Sequence, residues 1–297
     1  MKHYSSYKLL LALLLLWTTQ SMAQKPITVT LSINYNSDLK VYHDEPLLLT
    51  VSVTNKEAQE DRRWNKAADR RLNELEELMQ SNKISRENYD KEKKKLTDGK
   101  KEISSVTIGS SDKSWPSMVI WKAENTNSGV ETTLRVKPLP NPSTEPVAVL
   151  DDKGFYQTYF GIDPGDMKNL PDGDYDIKAV IDGESSEAVH LLVRKENMSA
   201  TVANSEEILL KTGQYYWHSG DSKRAMQFAE MILAKNPDSI DGLSLKADTQ
   251  VMTKSYQPAL ETYNKALKEF YKQNPGNSEP PEYLLAMIEF VKKETRQ

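Results

Sequence analysis

The stretch EEILLKTGQYYWHSGDSKRAMQFAEMILAKNP, residues 206–237, decides how this chain is read. Within it Gly213, Tyr216, Ala225 and Pro237 set a small residue, an aromatic, a second small residue and a closing proline at fixed intervals. About 34 residues further on the pattern returns. Ala247 takes the place of Gly213 and Ala259 that of Ala225, while Tyr263 and Ala266 fall at the aromatic and small positions of the second helix. Each unit reads as a pair of helices that cannot bury its apolar face alone, so the units must stack.

This spacing resembles the tetratricopeptide repeat across two repeats, residues 206–271. The resemblance implies an all-α, TPR-like helical repeat domain over 205–297 that acts as a binding module. After Pro280 and Pro281, Tyr283, Leu284, Met287, Ile288 and Val291 mark a last helix that caps the second repeat. In that family ligands lie on the concave face built from the first helix of each pair. Carried over, that face presents Leu210, Gln214, Trp217 and His218 from the first repeat, and Asp241, Leu245, Asp248 and Met252 from the second. The partner-binding residues expected here are therefore Leu210, Gln214, Trp217, His218, Asp248 and Met252. The family's basic clamp for a C-terminal carboxylate is not matched, because Leu210 and Gln214 stand where lysine and asparagine are expected. Two other uses of the face stay open: the last helix packs into it, or Trp217 docks on the domain upstream.

That upstream domain changes period from 3.6 to two. Ile27, Val29, Leu31 and Ile33 alternate with polar residues, and Leu47 to Val53 alternates again after the turn-forming His43-Asp44-Glu45-Pro46. Further strands are expected over 118–123, 132–137, 147–150 and 155–162. Tyr175 to Ile181 and Val189 to Val193 then form a hairpin opened by Asp182-Gly183. Seven or so short strands predict a β-sandwich over 24–196. The run Leu170-Pro171-Asp172-Gly173-Asp174-Tyr175 resembles the lead-in to a late strand of bacterial immunoglobulin-like, fibronectin-like and macroglobulin-like domains. Residues 56–104 interrupt the strands with a highly charged segment in which Trp64, Ala67, Leu72, Leu75, Leu78 and Met79 keep helical spacing. Ser85 is placed to cap a second helix, with Ile84 and Tyr89 stapling it. The segment predicts an inserted helical hairpin, and 75–96 resembles a two-helix short C-terminal domain. Its narrow leucine stripe is satisfied between its own helices or pairs as a coiled coil with a second copy. Residues 197–204 read as a linker.

At the N-terminus Lys2 and Lys8 precede an apolar run from Leu9 to Trp17, and Ser21-Met22-Ala23 offers small residues for cleavage after Ala23. Residues 1–23 are expected to be a signal peptide, leaving a periplasmic or secreted chain with no stable membrane anchor. Its removal takes the formal charge from −4 to −6, which argues against nucleic-acid partners. The absence of cysteine forgoes disulfides, a common condition in the bacterial periplasm.

Chemistry leaves few marks. Asp172, Asp174 and Asp176 alternate as in a calcium loop, but Ile177 and Gly183 stand where that loop needs glycine and glutamate. His43, His190 and His218 sit in separate segments without zinc spacing, and no nucleophile elbow or phosphate loop occurs. No catalytic residue, cofactor or metal is therefore expected. The sequence predicts an exported, non-catalytic protein-protein adaptor of the bacterial cell envelope. The alternative is a carbohydrate-binding sandwich that stacks Trp115, Trp121, Tyr156 and Tyr159 on sugar rings.

Overall fold

The computed structural model describes residues 27–34, 40–196, 198–276 and 279–296. The expected signal segment 1–23 lies outside them. The fold is mixed, β followed by α. In chain order it runs β1 (Thr28–Ile33), β2 (Lys40–Tyr42), β3 (Leu47–Thr54), α1 (Lys56–Gln80), α2 (Arg86–Asp98) and β4 (Val106–Ile108). Then come β5 (Ile120–Asn125), β6 (Glu131–Thr132), β7 (Lys137–Pro138), β8 (Ala148–Leu150), β9 (Phe155–Ile162), β10 (Gly173–Ile181), β11 (Glu184–Ser185) and β12 (Val189–Arg194). The helices α3 (Glu206–His218), α4 (Ser222–Lys235), α5 (Ile240–Met252), α6 (Tyr256–Gln273) and α7 (Glu282–Glu294) complete it.

Of the two larger sheets one has the order β1-β3-β9-β7 and the other β2-β12-β10-β5-β6, with β11 paired to β10, while β4 and β8 pair in a small two-stranded sheet. The two larger sheets share a core because the alternating apolar sets face each other: Leu31, Leu49, Val51 and Phe160 from the first, Tyr175, Ile177, Leu191 and Val193 from the second. Each such side chain, fully buried, contributes roughly 1.5–3 kcal/mol. All pairings are antiparallel except β2 with β12, which is parallel. The Tyr175 ring is buried at the start of β10, and its hydroxyl donates to the Pro171 carbonyl at 2.9 Å. Asp182 and Gly183 both take positive φ, 52° and 89°, so the turn between β10 and β11 closes in two residues.

The single strand expected over 132–137 does not form. Thr132 pairs with Ala123 in the second sheet, whereas Lys137 pairs with Gly161 in the first. Between them the chain crosses from one sheet to the other, with Leu134 and Val136 packed against the core. Their alternation reports which side faces the core, not a shared ladder.

The charged insert is a helical hairpin of α1 and α2, fastened by one residue. Asn55 is fully buried; its side chain accepts from the Ala58 N–H at 3.0 Å and donates to the carbonyls of Leu150 and Ser104 at 3.2 and 3.3 Å. It thus caps α1, holds the segment leaving α2 and ties both to β8. Ser85 caps α2, accepting from the Asn88 N–H, and Leu75 is 1% exposed in the hairpin.

In the helical half, small residues set the spacing between helices. A Cβ on Gly213 would lie 2.5 Å from a Leu245 methyl, and Ala225, Ala247 and Ala259 are fully buried. Leu284, Ile288 and Val291 of α7 complete the core around Tyr263. The stretch expected as a linker carries one helical turn, Ala200–Ala203.

Candidate functional site

The first helix of the α-half lies against the β-half. In β3 the alternation is broken by Leu48, which with Thr50 points away from the sandwich core and yet is buried. What covers Leu48 is Tyr215 of α3, together with Leu139, Tyr159 and Tyr216. Gly161 permits the approach, since a Cβ there would sit 2.6 Å from the Tyr215 ring. The Tyr215 hydroxyl donates to Asp163, which also receives the Lys137 ammonium. Burial raises the Asp163 carboxyl, but these two donors outweigh it and hold the pKa below the usual range. The phenol of Tyr215 is pushed up by burial and by that carboxylate.

Asn141 satisfies the C-terminal turn of α3, where helix carbonyls have no partner within the helix. Its N–H donates to the His218 carbonyl at 3.0 Å and its side-chain amide to the Trp217 carbonyl at 3.0 Å. The same amide reaches the Met252 sulfur at 3.2 Å. In return His218 Nδ1 lies 2.7 Å from the Asn141 carbonyl, which fixes the proton on that nitrogen because a carbonyl can only accept. His218 is 3% exposed, and burial lowers its pKa to about 4 although the bond to Asn141 pulls it upward.

Beside this contact the helices form a groove of about 540 Å³. Leu210, Gln214, Trp217 and His218 line it from α3, Asp241, Ser244, Leu245 and Asp248 from α5, and Tyr283 and Leu284 from α7; Pro142 and Tyr159 belong to the β-half. Asp241 and Asp248 are seven residues apart, so they share one face of α5 about 10 Å apart along its axis. Burial raises Asp248 to about 6, against the hydroxyls of Tyr263 and Tyr283 that donate to it. Asp241 is raised by burial and then by Glu206.

The structure therefore brings five of the six expected contact residues, Leu210, Gln214, Trp217, His218 and Asp248, to one groove. Met252 is not among its lining residues; its sulfur faces Asn141. Trp217 is half-buried, with its indole N–H without a partner among the described residues. His218 is committed to the β-half. Sequence reasoning missed Asn141 and Tyr215 and read Tyr159 only as a sugar-stacking candidate; a signal for the contact was the middle leucine of Leu47-Leu48-Leu49, which a sheet with a wet outer face would not carry.

The aromatics expected to stack on sugar do not share an open face. Trp115 is fully buried, Trp121 meets Phe160 edge-on with centroids 5.1 Å apart, Tyr156 packs against the core, and Tyr159 stacks on His218. Asp174 and Asp176 lie beside His190 at 3.7 and 3.3 Å, and Asp172 accepts from the Lys195 N–H. Among the described residues no group of three or more His, Asp or Glu is placed to hold a metal, and no helix is long and apolar enough to cross a membrane. Compared with known proteins, the chain matches no family model and no curated protein.

Proposed function

We propose that this chain is an exported, non-catalytic adaptor of the bacterial cell envelope that holds a segment of another protein in the groove between α3, α5 and α7. The observation that carries the reading is the groove itself. Three helices wall it, apolar side chains make up most of its surface, and a few polar groups converge on it, the usual make-up of a recognition site. The finer architecture follows the same reading. An immunoglobulin-like sandwich accounts for the strand order, the parallel β2 and β12 pair, and the bond from Tyr175 back to Pro171. Tetratricopeptide-like repeats account for the two helix pairs with small residues at their contacts.

The test fills the groove. Gln214→Trp leaves the α3 contact with the β-half untouched and occupies the space a segment would use. Affinity recovery of envelope proteins by the mature chain, 24–297, is expected to fall at least several-fold in this variant with an unchanged thermal midpoint. Equal recovery by both proteins would overturn the proposal.

A further inference from the structure

The groove's charge is one-sided. Its lining contains no lysine or arginine, its histidine is held neutral by burial, and its two ionisable acids are Asp241 and Asp248. Asp248 is met by two tyrosine hydroxyls. Asp241 is exposed at the groove, has no hydrogen-bond or ion-pair partner among the described residues, and Glu206 adds like charge beside it. A cleft lined by acids and by no lysine or arginine focuses a negative field, and an arriving cation meets that field beside an unpaired carboxylate. Leu210, Trp217 and Leu245 meanwhile offer apolar surface alongside.

We propose that the groove reads a protein segment in which a lysine or arginine adjoins an apolar side chain, the cation pairing with Asp241 and the apolar group resting on Leu210, Trp217 and Leu245. Asp248 adds a second negative field further along α5. This rests on the reading that the groove takes a protein segment. It reverses the polarity of a clamp built for a carboxylate, in keeping with the absence of lysine from α3 where such a clamp would need it.

A displayed library of random heptapeptides, selected in parallel on the mature chain and on Gln214→Trp, separates the two readings. Peptides recovered by the first and not by the second are groove-dependent. They are expected to be enriched in lysine or arginine next to leucine or an aromatic. Representative members should bind Asp241→Asn about two- to fivefold more weakly, the loss of one solvent-exposed ion pair, and should weaken with added salt. Their binding should also fall as the pH drops through about 6 and Asp248 takes up a proton. Groove-dependent peptides without cationic enrichment would overturn the pairing with Asp241 and keep the groove reading. A selection that yields no groove-dependent peptide would contradict both.

Discussion

His218 and Tyr159 lie nearly face to face, their ring centroids 3.8 Å apart and their planes inclined by 28°. One ring ends α3 and the other lies in the middle of β9. The helical half is thus fixed to the sheet by the same turn that borders the groove, and the groove's shape depends on that contact staying closed.

The His218 contact sets an acid limit. The folded chain takes its proton at about 4 and the unfolded chain at the ordinary 6.5, so the unfolded state binds more protons between those values. Stability is full above pH 6.5 and falls as pH drops towards 4, by about 3 kcal/mol in all. Thermal unfolding at pH 4.5 and 7.5 is expected to show His218→Gln losing that part of the slope.

Glu45 works in the opposite direction. It is 1% exposed in the turn before β3, and burial raises its carboxyl to about 7 although the Tyr42 N–H and Lys211 pull it down; Asp44 and Glu207 add to the rise. The folded state here holds the proton longer, so stability is lost as pH rises from 4.5 through 7, again by about 3 kcal/mol. Glu45→Gln is expected to raise the thermal midpoint at pH 8 and to match the parent protein at pH 4.5.

Gly161 is predicted to accept no side chain. Gly161→Val drives a branched group into the Tyr215 ring and Leu139 and should cost about 1–3 kcal/mol in chemical denaturation. The segment joining the two halves, 195–205, should then be cut faster by protease. Gly165→Ala, with nothing within 4 Å of the new Cβ, serves as the neutral control.

Asn55→Ala removes a helix cap and strands two carbonyls, in the fully buried setting described above. A loss of about 2–4 kcal/mol is expected. Hydrogen exchange should show it at β8 and at the first turn of α1, not in α5 or α6.

Much of this architecture was legible in local pattern. The period of two placed β1, β3, β10 and β12, and the charged helical spacing placed α1 and α2. Spaced small residues placed the helix pairs and, through them, most of the groove. What stayed hidden depends on partners distant in sequence. Asn141 meets the end of α3 across 77 residues, and Asp248 meets Tyr283 across 35. No periodicity encodes such pairs. The sheet-to-sheet crossing at 132–137 was hidden for another reason: Leu134 and Val136 keep a strand's alternation while the chain exchanges one ladder for the other. The missing partner of Asp241 is equally invisible until α3, α5 and α7 are set around it.

The groove reading is tested most directly by placing a photocrosslinking residue at 214, inside the groove, and separately at 230, on the exposed face of α4, in the protein produced in its own cells. The account predicts a discrete protein adduct from position 214, absent from 230 and competed by a lysine-containing peptide from the library selection. Adducts of equal yield from both positions, or from 230 alone, would contradict it.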